Sequence, residues 1–181
     1  MTGKREEPTE VAVRARTVRG LFNSLDPSPF VERDLDPHAD EFVTGWVSGL
    51  PRGTPFTIVV ELPSEEAALP EAARVAEAFA NHYALRVAEA ERELKDLLRV
   101  GRWSVLIGLI VLALCLTGSH YLAELSEESV LVSILSESLI IVGWVANWRP
   151  IEIYLYDWWP ILRRIRLFRR IAAAPVEVRG A

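Results

Sequence analysis

An acidic side chain, Glu137, lies near the middle of an apolar segment that is long enough to cross a membrane. Inserting a carboxyl group at the centre of a bilayer costs on the order of 3 kcal/mol, and such groups usually face a bundle interior or a wet cavity. Ser133 and Ser136 lie within about one helical turn of it, so the three residues form a candidate intramembrane polar site. Two roles are open: a protonated, hydrogen-bonded group in a structural seam, or a titrating group in a wet path.

Small and polar residues recur at intervals of three or four on both apolar segments. In the second segment they form one stripe: Ser126, Ser129, Ser133, Ser136 with Glu137, Gly143 or Trp144, and Asn147. In the first segment they form a matching stripe: Gly101, Ser104, Gly108, Cys115 and Gly118. Small faces allow helices to approach closely, and polar groups join helices by hydrogen bonds. The stripes therefore favour a structural seam between the two segments as the place of Glu137.

Residues 149–181 combine dense aromatic residues with many arginines. At helical spacing the arginines share one side of a helix, and the other side is apolar: Ile161, Ile165, Phe168 and Ala172. This composition is typical of a helix that lies in the membrane surface and contacts anionic lipid through its guanidinium groups. The alternative is a basic face in water. The predicted lipid-contacting residues are Arg163, Arg166, Arg170, Trp158 and Trp159.

Acidic side chains and a histidine alternate between Asp34 and Glu41, which raises the question of a metal site. The calcium-loop pattern needs Gly at its sixth position and Glu at its twelfth, where this chain has Ala39 and Gly45. Acidic residues also collect at helix N-termini through the helix dipole. The three histidines are far apart, and the sequence has no phosphate loop, nucleophile elbow or zinc-binding helix pair. We therefore predict no enzyme activity, cofactor or metal.

Two apolar segments, residues 103–121 and 130–148, must position the polar site. A helix needs roughly 20 residues to cross the hydrocarbon layer, and Trp and Tyr prefer its interfaces. Both segments have this length. The first has an aromatic residue at each end, and the second has Trp144 and Trp148 near one end. A buried hairpin in a soluble protein is the disfavoured alternative, because residues 105–116 are apolar except for Gly108.

The distribution of basic residues predicts the orientation of this hairpin. Lys95, Arg99 and Arg102 precede the first segment and Arg149 follows the second, whereas the loop 122–129 has glutamates and no Lys or Arg. Because cytoplasmic flanks are enriched in basic residues, we expect the loop to be external and both termini to be cytoplasmic. Residues 1–10 lack the apolar core of a signal peptide and are expected to be disordered.

The residues before the hairpin predict a small β-α-β head over 11–63. Residues 11–17 alternate as a strand with one wet face, and 56–62 contain a β-branched run. Between them Asp36 is placed to cap a helix and Pro37 fits its first position. Residues 64–102 then predict a long stalk helix that continues into the first span. Two strands are marginal alone, so their edges need either this helix or a strand from another subunit.

Three segments carry a resemblance to a known family: residues 25–30 (LDPSPF), 32–36 (ERDLD) and 155–160 (LYDWWP). They resemble segments of an uncharacterised family of bacterial inner-membrane proteins with two membrane spans. The similarity extends from about Leu21 to Val176. It implies a location in the bacterial inner membrane and carries no activity.

The sequence as a whole predicts an α+β membrane protein with a cytoplasmic head, a two-helix transmembrane hairpin and an interfacial amphipathic helix. Its 25 acidic and 20 basic residues give a net charge of −5, which argues against a nucleic-acid binder. We expect a non-enzymatic inner-membrane scaffold that self-associates or docks a protein partner on its head. The alternative is a small channel or proton-responsive transporter subunit built around Glu137.

Overall fold

The computed structural model describes residues 8–125 and 129–181. It is a mixed α+β protein with a three-stranded parallel sheet and two long apolar helices. The chain divides into two compact units: one combines the residues up to Ala90 with Arg163–Ala181, and the other is Glu91–Leu162. Of the predicted disordered segment 1–10, residues 1–7 lie outside the described part, whereas Thr9 and Glu10 belong to the first strand.

The sheet of the first unit has the order β1-β2-β3, with β1 at Thr9–Arg14, β2 at Phe56–Leu62 and β3 at Val176–Gly180. Both pairs are parallel, and Ile58 of β2 lies between Val11 and Val176. β2 is buried along almost its whole length, as expected for the central strand of a covered parallel sheet. The bounds of β2 agree with the sequence prediction, β1 begins and ends earlier than predicted, and β3 was not predicted.

Helix α1, Pro37–Gly49, connects β1 to β2. The Asp36 side chain accepts a hydrogen bond from the His38 backbone amide, and Pro37 takes the first turn, as the sequence predicted. Val43 and Val47 of α1 are buried in the core, whereas Phe42 and Trp46 are 45% and 49% exposed. The apolar stripe of α1 is therefore wider than the surface that the core covers.

The core of the first unit also uses helices that the sequence assigned elsewhere. After the short helix α2, Ser64–Ala67, helix α3 runs from Val75 to Leu125, and Phe79 and Tyr83 from its first turns join the core. From the other end of the chain, Phe168 and Ile171 of α6, Trp158–Ala172, join the same core. The core of the first unit therefore extends beyond the predicted head at 11–63 and takes residues from the predicted stalk at 64–102 and from the predicted tail at 149–181. The long helix and the tail strand cover the sheet within one chain.

The second unit contains the two apolar segments. They lie in α3 and in α4, Val130–Val145, whose most apolar windows have mean hydropathies of 2.1 and 1.8 and are mostly exposed. Both are long and apolar enough to span a membrane. Helix α3 continues past the predicted end at residue 121, so the predicted loop 122–129 is helical up to Leu125. Residues 126–128, including Ser126, Glu127 and Glu128, lie outside the described residues.

The predicted end of the second segment at residue 148 is instead the start of another helix. Helix α5 occupies Trp148–Glu152, a π-helical turn follows at Ile153–Asp157, and α6 begins at Trp158. Pro150 lies in the first turn of α5, where its missing N–H has no intrahelical acceptor to lose. Proline therefore marks a break between helices here and does not end the helical chain.

Candidate functional site

The two apolar helices of the second unit pack through small residues. A Cβ atom added at Gly143 would lie 2.9 Å from Leu112 Cδ1 and 3.1 Å from Cys115 Cβ. One added at Gly108 would lie 2.7 Å from Asn147 Oδ1. Residues with higher numbers on α3 contact residues with lower numbers in the segment after residue 130, so the two segments run antiparallel. The predicted seam of small residues is confirmed, and it depends on the absence of side-chain atoms.

Neutral polar side chains join the same seam. The Oγ atoms of Ser119 and Ser136 are 2.7 Å apart, and Ser136 also lies 3.3 Å from the Ser119 carbonyl oxygen. The side-chain amide nitrogen of Asn147 donates to the carbonyl oxygens of Gly108 at 3.2 Å and Gly143 at 3.0 Å. These hydrogen bonds join the two helices through neutral groups, a pattern that is also typical of helix pairs in membranes.

Glu137 lies outside this seam. Its side chain and that of Ser133 are exposed on the outer face of α4, next to the exposed side chains of Ile141 and Trp144. Within residues 8–125 and 129–181, no hydrogen bond or ion pair reaches the Glu137 carboxyl. Consecutive residues on a helix differ in direction by about 100°, so Ser136 can face α3 only if Glu137 does not.

One of the sequence predictions for this site is therefore corrected. The candidate site is split, because Ser136 faces the seam whereas Ser133 and Glu137 face outward. Of the two open roles of Glu137, the hydrogen-bonded one has no partner for this carboxyl among the described residues of the hairpin. A seven-residue recurrence distinguishes the faces: Gly101, Gly108 and Cys115 on α3, and Ser136, Gly143 and Pro150 on the partner segment. This spacing, about 3.5 residues per turn over two turns, is that of a packed helix seam.

The predicted lipid-contacting tryptophans belong to the second unit. Trp158 and Trp159 pack with ring centroids 5.1 Å apart, and the Trp158 indole donates to the Tyr154 carbonyl at 2.9 Å. Nearby, Arg149 pairs with Asp157 at 3.0 Å. The region thus presents indole rings beside an ion pair, the combination that suits a boundary between apolar and aqueous surroundings. π-Helical turns such as the one here also recur at functional sites.

The predicted lipid-contacting arginines belong to the first unit, where they line a cleft of about 550 Å³. Its basic lining residues are Arg52, Arg163, Arg164, Arg166 and Arg170. Its apolar lining residues are Val47, Leu50 and Leu167. The structure therefore brings the three predicted arginines together and adds Arg52, which sequence reasoning did not single out. Arg52 is 111 positions before Arg163 in the chain, and no local pattern connects them.

The apolar face of α6 does not lie free for a membrane, contrary to the interfacial-helix prediction. Phe168 and Ile171 are buried in the core of the first unit, and Ile165 is only 2% exposed. Its arginines remain on the exposed side. The amphipathic pattern was read correctly, but the partner of its apolar side is a β-sheet core.

A tight turn positions Arg52 in the cleft. The Thr54 amide donates to the Pro51 carbonyl at 3.3 Å, and Gly53 between them has φ = 89°, a conformation that favours glycine. Arg170 fastens this turn to α6, because its guanidinium donates to the Thr54 carbonyl at 2.7 Å and lies 5.1 Å from the Phe56 ring centre. The arginine from the turn and those from α6 are thereby held around the same space.

A polar cluster in the first unit joins α1 to α3. His82 and Asp40 are 5% and 8% exposed, and His82 Nε2 lies 3.7 Å from Asp40 Oδ1. On its other side His82 Nδ1 lies 3.1 Å from Asp34 and 3.3 Å from the Leu35 amide, which can donate to it. Arg86 donates to Asp40 at 2.6 Å. Sequence reasoning treated His82 as isolated, because its partners lie more than forty positions away.

Electrostatics set the charge states of Asp40 and Tyr83 in this cluster. Burial raises the pKa of Asp40, but the adjacent His82 and the Arg86 charge outweigh it, so the pKa of that carboxyl lies below its ordinary value. Burial, reinforced by the Asp40 carboxylate, raises the pKa of Tyr83, and its phenol stays neutral. The arrangement is that of an ion pair that locks two helices together. In the described part of the chain, no three potential metal ligands converge here or elsewhere.

The family-like segments at residues 25–30 and 32–36 have structural roles in the same unit. The Asp26 carboxylate accepts hydrogen bonds from the backbone amides of Asp34 at 2.8 Å and Ser28 at 2.9 Å, and these lower its pKa to about 2. Phe30 packs edge-on against Phe22 at 4.8 Å. The segments thus fix the loop before α1.

Comparisons with protein-family models, with characterised proteins and with solved structures found no match to this chain.

Proposed function

We propose that this chain is a bacterial inner-membrane scaffold protein that self-associates through the Glu137 face of its hairpin. In this proposal α3 and α4 cross the bilayer, the segment between them is external, and both termini are cytoplasmic. The head in the first unit is then held at the cytoplasmic surface, where it is available to dock a protein partner. Anionic lipid is the bilayer component that its basic residues contact.

The observation that carries this proposal is the exposure of Glu137 on the outer face of α4. The polar groups of the seam hydrogen-bond to other groups of the same seam, and the Glu137 carboxyl is not among their partners. A carboxyl that faces hydrocarbon costs on the order of 3 kcal/mol, and this cost favours a neighbour that can hydrogen-bond to it. A second copy supplies that neighbour, because a two-fold contact brings the Ser133 and Glu137 of both copies together.

The end of the hairpin next to Gly101 and Ile153 supports the cytoplasmic orientation. Trp103 and Trp148 are exposed there, and each is adjacent in sequence to an arginine. Indole rings favour the bilayer interface and basic residues favour its cytoplasmic side. The reporter experiment follows directly: fusions at both termini should read cytoplasmic and one inserted near residue 127 should read external. A cytoplasmic signal from that insertion contradicts the proposed topology.

Self-association is tested with the full chain in bilayer nanodiscs or native membranes. A Ser133→Cys variant should form a disulfide-linked dimer on mild oxidation, because the proposed two-fold contact brings the two copies of this position together. The native thiol of Cys115 is buried in the seam and should not form such a link. Adding Glu137→Leu should reduce this dimer strongly, whereas Glu137→Gln should preserve it because an amide still hydrogen-bonds. The matched control is Glu124→Leu, which removes an exposed glutamate at the far end of α3.

A Ser133→Cys protein that remains monomeric, or one that dimerises equally with Glu137→Leu and without it, contradicts the proposal. Equal loss of dimer in the Glu124→Leu control would mean that charge alone matters, which also contradicts it. All three outcomes can be read from the same gel.

The exposed carboxyl also favours a second candidate, a proton or ion path formed where several copies meet. A carboxyl at such an axis can release a proton, whereas an amide cannot. Flux into vesicles that contain the wild type should then exceed that into empty vesicles and disappear in Glu137→Gln. Flux equal to that of empty vesicles would exclude this candidate and leave the scaffold.

A further inference from the structure

We propose that the arginine-lined cleft of the first unit binds a phosphate ester that carries an apolar group. The cleft lies between the end of α1 with its following turn and the arginine face of α6. This proposal goes beyond self-association and does not rest on it, because every residue of the cleft belongs to the first unit. It assigns a site and a ligand class to arginines that otherwise form only a general basic surface.

The charges of the cleft call for an anion. Of the described residues that line it, none is acidic. Arg52, Arg163 and Arg166 are exposed, and within residues 8–125 and 129–181 no carboxylate lies within ion-pair distance of them. The guanidinium groups of Arg52, Arg163 and Arg166 repel one another, and an anion that lies among them removes this repulsion.

The geometry of the donors favours phosphate. Arginine presents a planar fork of N–H groups that matches pairs of phosphate oxygens, and Arg163, Arg166 and Arg170 project from one side of a rigid helix. Arg52 comes from a different element, the turn that Arg170 fastens to α6. An anion in the cleft can therefore be contacted by guanidinium groups from two elements, which suits a tetrahedral phosphate with several acceptor oxygens. Because Arg170 already binds the Thr54 carbonyl, we assign it the role of a positioning residue.

The apolar lining extends the ligand beyond the phosphate group. Val47 is fully buried and Leu50 and Leu167 are partly buried, so their side chains form a floor beneath the guanidinium groups. The volume of about 550 Å³ lies within the usual range of small-molecule sites and exceeds what a single inorganic ion fills. A phospholipid headgroup with its glycerol, or a soluble phosphate ester with an apolar body, has this chemistry.

The binding experiment uses the full chain in a neutral detergent and isothermal titration calorimetry. One arm titrates dihexanoyl phosphatidic acid, with dihexanoyl phosphatidylcholine as the zwitterionic comparison, and the other titrates inorganic pyrophosphate. We expect phosphatidic acid to bind saturably and phosphatidylcholine not to bind. Binding of phosphatidic acid alone identifies a lipid headgroup as the source, and comparable binding of pyrophosphate identifies a soluble phosphate compound.

Two sets of variants make the result specific. The double change Arg52→Gln with Arg166→Gln should weaken phosphatidic acid binding by about tenfold or more, because each fork supplies charge-assisted hydrogen bonds. Arg52→Lys keeps the charge without the fork and should weaken it less. The matched control is the pair Arg16→Gln and Arg74→Gln, which removes equal charge from the same unit outside the cleft. Unchanged circular dichroism checks that each variant folds.

The proposal is overturned if neither phosphate probe binds, or if phosphatidylcholine binds as tightly as phosphatidic acid. It is also overturned if the control pair weakens binding as much as the cleft pair, because the effect would then be one of net charge. Self-association measured on the same samples separates this result from the hairpin proposal, since Glu137 is left intact in every variant.

Discussion

Each of the two units of this chain packs internally, and the two use side-chain volume in opposite ways. The first unit fills the space around β2 with large side chains from several elements, such as Phe22, Phe79, Tyr83 and Phe168. The second unit brings two helices together by omitting side chains, at Gly108 and Gly143. In water, burial of apolar area drives association, whereas between apolar helices close contact and hydrogen bonding must do so. The two units therefore pack by different means.

The buried polar groups also differ between the units, because the first unit has a charged cluster and the hairpin seam has neutral groups. The first unit uses charge: Asp40 lies between His82 and Arg86, at a surface that water can reach. The hairpin seam uses neutral hydroxyl and amide groups, such as those of Ser136 and Asn147. Charges are tolerable where partners and nearby water compensate for burial, and neutral groups are safer in hydrocarbon. Glu137 is an exception, because it places a carboxyl group on an apolar helix of the second unit.

Removing volume should hurt the first unit most. Phe79 is 1% exposed and packs edge-on with Phe22 at 6.4 Å, so Phe79→Ala should lower the free energy of unfolding of this unit by about 3–5 kcal/mol. Hydrogen exchange of the β2 amides in the full chain measures this loss. Exchange of the α4 amides should stay unchanged. If both units are destabilised together, they do not differ in the way described.

Adding volume should hurt the hairpin instead. Gly143→Val places atoms against Leu112 and Cys115 and should destabilise the seam by about 1–3 kcal/mol, seen as faster exchange in α4. The matched control is Gly45→Ala in α1, where an added Cβ meets nothing within 4 Å. That change should stabilise α1 by roughly 0.5–1 kcal/mol. Equal effects of the two substitutions would contradict the close-packed seam.

Removing charge from the polar cluster should have the smallest effect of the three. Asp40→Asn keeps the shape but loses the ion pair, and because Arg86 is partly exposed we expect a loss of about 1–2 kcal/mol at neutral pH. Since the pKa of Asp40 is lowered in the folded chain, its contribution is complete above the ordinary value of 3.8 and disappears as the pH falls through the lower folded value.

Exchange rates of the α1 amides, compared between wild type and Asp40→Asn at several pH values, follow this contribution. The difference should be constant near neutral pH and should shrink under acid conditions. A difference that instead grows as the pH falls would mean that the carboxyl is destabilising when charged, contrary to its assigned role.

Local signals carried most of the secondary structure. The cap at Asp36, the proline at position 37 and the β-branched run of β2 act within a few residues, and the sequence predicted the corresponding elements correctly. The two apolar helices were also recognised from length and composition. By contrast β3 is short, and its residues pair with a strand more than a hundred positions earlier. Nothing within that segment indicates the partner.

The candidate site shows the same division at the level of single residues. The sequence predicted that Arg163, Arg166 and Arg170 share a face, because helical spacing determines it. It could not add Arg52, whose place in the cleft depends on how the turn packs against α6. For Glu137 the sequence does not give the rotation of α4 about its axis, which decides whether Ser136 or Glu137 faces α3. Steps of three and four residues are compatible with either residue in the seam, and the structure places Ser136 there.

The position of β3 in the chain sets the order in which the protein can be made. β2 needs β1 on one side and β3 on the other, yet β3 follows both apolar helices in the sequence. During synthesis the ribosome therefore releases β3 only after the hairpin has emerged, and until then one edge of β2 lacks its strand. A chain that stops before residue 176 exposes this edge for pairing with other strands. The three-stranded sheet of the first unit is therefore complete only after the hairpin has been synthesised.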